Sequence, residues 1–431
     1  MRVQTGKGTI PLMVVIAIWS LSLGINLPGL AVTPVLGDFH GVSEFKSQLL
    51  TVLPNLVIIP FVLLSGRLSL TPHKIPVITT GVVLYVLSGL LYFFTNSFDG
   101  LIWISCLLGA GCGLLLPFAT GLIADVFTGQ YKLRQMGIVS AIGNISLVAA
   151  TFVVGFLANI NMHMPFLVYV IPVISLILLP WFKKIPRNDL DLDADGNPIP
   201  KGVTDIDAAT PEPIDVPAED DADFSTKGQK VVGGFYLGRT VWTLLAYFFF
   251  VFSTSVPAYY MPYLAPDLKI SVETVSIITS MIYFMMFVVG LSLNKMLRLF
   301  KAYSFVVTGA LLLIGFVLFA VCHSAGWFIL ASSLLGLGQG MAQPIFFDKA
   351  TEICVNKSHA TLSLAFLQVA NYIGIAIVPV IINFFMWIFG VSESNHTFPF
   401  IINVAFMVIV FAAILLRYRH FTFGIHKRYY E

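Results

Sequence analysis

LLGAGCGLLLP, Leu107 to Pro117, and LLGLGQGMAQP, Leu334 to Pro344, align without a gap at an offset of 227 residues. Three glycines and the proline superpose: Gly109 on Gly336, Gly111 on Gly338, Gly113 on Gly340 and Pro117 on Pro344. Carried further, the same offset sets Asp125 opposite Glu352 and Asn144 opposite Asn371. A looser match relates Pro34, Asp38 and Glu44 to Pro262, Asp267 and Glu273. Small residues let helices pack closely, and that alone accounts for any one glycine as well as a functional role does. A whole set repeated in corresponding places of two apolar halves marks a chain built from two like units.

Outward from this repeat, the composition names the solvent. Hydrophobic residues make up 57% and charged residues 11%, with a mean hydropathy of +0.89, against about 25% charged residues in an ordinary soluble domain. Apolar stretches long enough to cross about 30 Å of hydrocarbon fall near Ile10–Val32, Ser47–Leu64, Ile75–Phe94, Leu101–Ala124, Gly137–Leu157 and Pro165–Phe182. They resume near Val241–Tyr260, Val275–Leu293, Ala302–Val321, Trp327–Phe347, Leu362–Phe385 and Pro399–Leu416. The expected fold is all-α and integral to the membrane, with twelve transmembrane helices as two pseudo-symmetric six-helix bundles, residues 1–184 and 236–431. Between them, residues 185–235 read as an acidic cytoplasmic linker. The stretch from Ile185 to Val232 holds 12 of the 22 acidic residues with several Pro and Gly, a composition that resists folding alone.

Lys and Arg are retained on the cytoplasmic side of a membrane. Placing both termini inside leaves only Lys46 and Lys269 of the 24 Lys and Arg outside, so both termini are expected in the cytoplasm. The apolar run after Arg2 and Lys7 exceeds the h-region of a cleaved signal and is expected to remain as an anchor. A net charge of +2 gives no footprint for nucleic acid. The four cysteines, Cys106, Cys112, Cys322 and Cys354, lack metal or disulfide spacing and read as packing thiols. Asp191, Asp193, Asp195 and Gly196 imitate half of a calcium loop, but Gly202 stands where the bidentate Glu belongs, leaving a solvated hinge as the better reading. No metal or cofactor is expected.

TPVLGDF, Thr33 to Phe39, resembles the end of the first helix of the major facilitator superfamily. GLIADVFTGQYKLRQMG, Gly121 to Gly137, resembles that family's link between helices four and five, with Asp125 and Arg134 in place. Gly66, Leu68 and Lys74 fit its motif between helices two and three, while Leu70 stands where an Asp is usual. Ser105 occupies the position of an Arg, and Gly143–Asn144 that of a glycine-proline pair, in the drug-proton antiporter branch. The resemblance covers the chain apart from the linker. It implies two bundles around a cavity lined mainly by helices one, four, seven and ten, and a monomeric secondary transporter in the plasma membrane, or the inner membrane of a Gram-negative cell.

Charges inside a membrane cost about 2.5–3.5 kcal/mol or more and are normally functional, yet the predicted helix centres carry none. The mid-segment polar residues are amides and phenols, which offer donors and acceptors without that cost. Asn26, Asn144, Tyr259, Tyr260, Gln339, Gln343, Asn371 and Tyr372 are the candidate substrate contacts, and Gln339 and Gln343 share a helix face. Helix-to-helix hydrogen bonding is the plainer account of any one amide. Asp38, Asp125, Arg134, Asp348 and Glu352 are the candidates for coupling or gating, although Asp348 beside Lys349 reads first as a self-compensated helix end. Pro28, Pro54, Pro60, Pro257 and Pro262 would bend helices one, two and seven. The expected function is alternating-access transport of a small neutral or lipophilic solute, in the direction of proton-coupled efflux. Uncoupled or symport uptake of a neutral nutrient, and a non-transporting sensor, are the alternatives. His73, His163, His323 and His359 are scattered at loop ends, so no enzyme is expected.

Overall fold

The computed structural model describes residues 2–5, 9–24, 44–70, 74–95, 97–158, 160–161, 163–182, 229–356, 359–392 and 395–430. Asn26, Pro28, Asp38, most of the acidic linker and its calcium-loop imitation lie outside these residues. A short hairpin, β1 (Arg2–Gln4) with β2 (Thr9–Pro11), leads into α1 (Leu12–Ser20). Pro11, lacking an N–H, ends the strand and begins the helix. There follow α2 (Glu44–Leu68), α3 (Lys74–Phe94), α4 (Phe98–Val126) and α5 (Gly129–Ala158).

The sixth predicted segment is not one helix. It is a 3-10 run, Met164–Val170, followed by α6 (Val173–Ile177) and α7 (Leu179–Phe182). Pro172 and Pro180 each withhold a donor there, which breaks the helical ladder. After the linker a second hairpin, β3 (Val231–Val232) with β4 (Phe235–Tyr236), turns through Gly233 and Gly234 at φ +60° and +84°, the left-handed pair that a two-residue turn of this kind requires. The second half comprises α8 (Leu237–Asp267), α9 (Val272–Phe300), α10 (Ser304–Val321), α11 (Ala325–Glu352), α12 (Ala360–Ala376), α13 (Val378–Ile388) and α14 (Phe398–Leu416). α12 and α13 form the eleventh segment, bent by 42° where Pro379 enters the first turn of α13.

By length and apolarity alone, seven helices among the described residues could cross a membrane, or eight with the bent pair joined. The shortfall from twelve has identifiable causes. α9 and α10 run together through Ile277–Val321, and three shorter apolar helices, Leu12–Leu23, Leu53–Leu68 and Met164–Ile177, occupy the first, second and sixth predicted segments. The outer surface is apolar: Phe94, Trp103, Trp387 and Leu416 are each at least 75% exposed, as suits side chains facing lipid tails.

The repeated glycines are the crossings that hold each half together. A Cβ on Gly109 or Gly113 would meet the backbone oxygens of Pro54 and Ile58 in α2, and one on Gly111 the backbone of Tyr85 in α3, all at 2.5–2.7 Å. In the second half a Cβ on Gly336 would strike the Ile282 carbonyl oxygen and one on Gly340 the Val289 side chain at 2.8 Å, both in α9, while one on Gly338 would meet the Leu312 side chain of α10 at 2.8 Å. α4 therefore relates to α2 and α3 as α11 relates to α9 and α10. The halves meet along α5 with α9 and along α2 with α12. Gly137 and Gly290 touch across the first of these seams.

Candidate functional site

Midway along the bundle, four helices contribute uncharged polar groups that join across the seam. Asn144 of α5 donates from Nδ2 to the Ser140 carbonyl at 2.8 Å. Ser140, one turn earlier on the same helix, donates from Oγ to Oε1 of Gln343 on α11 at 3.1 Å. Gln343 is hydrogen-bonded to the phenol of Tyr247 on α8, which reaches Oδ1 of Asn371 on α12 at 3.5 Å. The chain Asn144–Ser140–Gln343–Tyr247–Asn371 thus begins and ends on a repeat-related pair of asparagines. Tyr247 is 1% exposed, its ring set among Phe250, Phe346 and Phe347. Buried dipoles that satisfy one another avoid the cost of an unpaired polar group, and each can re-pair with a solute.

Of the candidate contacts, this chain unites Asn144, Gln343 and Asn371. Tyr372 is buried near Cys112 of the first half and Tyr247 of the second. Gln339 is half-buried a turn away from Gln343 and stands outside the chain. Tyr259 and Tyr260 are half-buried beside the apolar cluster of Phe252, Val256 and Ile382, toward the far end of α8. Ser140 and Tyr247 are members that sequence reasoning missed. At the position of the antiporter arginine, Ser105 is fully buried and hydrogen-bonded to the Tyr92 hydroxyl.

The charged candidates within the described residues, Asp125, Arg134, Asp348 and Glu352, gather at the end of the bundle that bears both chain termini. There Thr128, between α4 and α5, donates its N–H to the Thr5 carbonyl at 3.0 Å. Asp125 pairs with Lys74 at 2.7 Å within the first half, while Arg134 is exposed on α5. Asp348 is compensated from the opposite half: Lys132 Nζ of α5 lies 2.8 Å from its Oδ1, with a hydrogen bond from the same ammonium to Thr351 Oγ1 at 2.7 Å. The sequence neighbour Lys349 turns away, donating to the carbonyls of Phe421 and Gly424 in the segment after α14. Glu352 meets His426 of that segment at 3.1 Å.

A profile of the Major Facilitator Superfamily matches residues 14–379 and 243–422. The chain belongs to this superfamily. Its solved structural relatives include the human organic anion transporter MFSD10 (TETRAN), with a TM-score of 0.66 at 14% identity, covering 93% of this chain and 96% of that one. The proton:xylose symporter XylE also reaches 0.66, at 12% identity over 94% and 95% of the two chains. These likenesses concern the fold. In sequence, the chain is 30% identical to the quinolone resistance protein NorA of Staphylococcus aureus (strain MRSA252) over 149 residues, 34% of this chain and 37% of NorA. It is 26% identical to the multidrug transporter protein MdtP of Bacillus subtilis (strain 168) over 147 residues, 34% of this chain and 26% of MdtP. The matched part thus spans little more than a third of NorA and about a quarter of MdtP. This superfamily comprises multi-pass membrane transporters and not enzymes.

Proposed function

We propose that this member of the superfamily moves a small, neutral or lipophilic organic solute across the plasma membrane by rocking its halves about the central polar chain, as proton-coupled efflux. It works as a monomer with both termini in the cytoplasm, and nucleic acid has no part in it. The observation that carries the reading is the run from Asn144 to Asn371, which joins the halves through uncharged donors and acceptors walled by aromatic rings. Such a lining suits a solute that brings ring surface and a few polar atoms but no full charge. Efflux is favoured by the likeness to NorA and MdtP, whose names record drug resistance and multidrug transport. Protons are favoured by the carboxylates Asp348 and Glu352, placed where the halves close.

The test is solute flux through the purified protein in liposomes, using a lipophilic fluorescent dye with and without an imposed pH gradient. Flux driven by the gradient is expected; equal flux without it would remove proton coupling and favour facilitated passage of a neutral nutrient, a reading that the uncharged chain also supports. Tyr247→Phe and Gln343→Ala are expected to raise the KM for the dye about tenfold each, the value of one lost hydrogen bond of about 1.4 kcal/mol. Unchanged kinetics in both would take the chain out of the transport path.

A further inference from the structure

The segment after α14 does not trail from the molecule. Phe421, 1% exposed, sits with its ring 4.7 Å from the Lys349 ammonium and 4.2 Å from the Arg239 guanidinium. Lys349, itself 4% exposed, places its hydrogen bonds on carbonyls of this segment. A short 3-10 turn, Lys427–Tyr429, then enters the junction where α5 of the first half meets α9 and α11 of the second. Tyr429 is 6% exposed and packs in the same apolar core as Leu133, Leu293 and Leu297. Its hydroxyl donates to Oδ2 of Asp348 at 2.5 Å. The other oxygen of that carboxylate receives Lys132 from the opposite half.

We propose that Tyr429 is a positioning residue for the ion pair between the halves, so that the C-terminal segment acts as a clasp on the closed terminus-bearing face. A carboxylate held on one oxygen alone rotates about its Cβ–Cγ bond and trades its ammonium partner for water. Held at Oδ2 by a buried phenol, Asp348 keeps Oδ1 facing Lys132. The clasp is built into the side that must part for the bundle to open there. Because α11 carries both Gln343 and Asp348, a loosened clasp lowers the barrier to separating the central chain as well. His426 on Glu352, one turn beyond Asp348, secures the same segment at a second point.

This inference rests on the reading that the halves rock, and the experiment separates the two. Spin labels replace Arg67 of the first half and Arg298 of the second, both exposed, in the full chain with the four native cysteines changed to alanine. Distances are then measured in liposomes. Tyr429→Phe removes the hydroxyl and keeps the ring; it is expected to raise the long-distance population at least threefold with the melting temperature little changed. Asp348→Asn is expected to do the same, and the double variant no more than either alone. Removal of residues 425–431 is expected to give the largest shift. A distribution unchanged by Tyr429→Phe but widened by Asp348→Asn would overturn the clasp and leave rocking intact, as would independent, multiplying effects of the two substitutions. Distances insensitive to Asp348→Asn would remove the gate itself.

Discussion

Lys349 is a cation deep in the terminus-bearing face, and its surroundings explain why it is tolerated. Two carbonyls accept its protons and two aromatic rings, Phe305 and Phe421, lie 5.8 and 4.7 Å from Nζ. Lys349→Met keeps the length and apolar stem but leaves the Phe421 and Gly424 carbonyls without their donor, so a loss of about 1–3 kcal/mol is expected, read as a lower melting temperature in detergent. His359 behaves differently. It stacks on Phe235, and burial pushes its imidazole below the usual range. A folded-state value below the unfolded one leaves its packing intact at neutral pH and progressively lost as pH falls below about 6.5. Thermal unfolding against pH is expected to show less acid destabilisation for His359→Gln. The sequence displayed neither partnership, because Lys349 invited pairing with its neighbour Asp348 and nothing in the stretch HFTFGIHKRYY, residues 420–430, marks it as a partner of a distant helix. Tyr247 was hidden for a related reason. It lies in AYFFFVF, residues 246–252, where one phenol among rings gains meaning only when Gln343 and Asn371 arrive from distant helices.

At the scale of the helix, the repeat at offset 227 was legible because close packing leaves its mark directly in residue size. A Cβ on Gly336 would strike the Ile282 carbonyl oxygen, and one on Gly111 the Tyr85 backbone nitrogen at 2.6 Å. Gly336→Leu and Gly111→Leu are each expected to destabilise their half by about 3 kcal/mol or more, beyond ordinary overpacking because the obstruction is backbone; folded yield after detergent extraction measures it. The sixth segment and the bend between α12 and α13 were less legible, since their apolar composition is that of a straight span and only Pro172, Pro180 and Pro379 mark the breaks. Prolines are ambiguous marks in this fold. Pro54 and Pro60 sit inside α2 without interrupting it.

For the whole molecule, if the halves rock as proposed, the pairing of Lys132 with Asp348 sets the balance between closed and open arrangements. Breaking a buried pair by removing one partner costs about 3–5 kcal/mol, and every 1.4 kcal/mol placed on one state alone is a tenfold population change. Lys132→Asp and Asp348→Lys singly are therefore expected to hold the terminus-bearing face open and cut flux at least tenfold, while the exchanged pair recovers most of it. Failure of the exchange to rescue would assign the carboxylate a task other than pairing. The seam between α5 and α9 contributes in another way. Where Gly137 meets Gly290, each missing Cβ would stand 2.7–2.8 Å from the other glycine's backbone oxygen, with the Leu293 side chain and the Ala141 methyl beside them, so the surfaces carry few side chains to mesh like gear teeth at that point. Two such surfaces can turn on each other with little side-chain rearrangement beyond Leu293. On the proposed rocking of the halves, the crossing is a plain bearing, and friction in the transport cycle belongs to the latch at the end of the bundle.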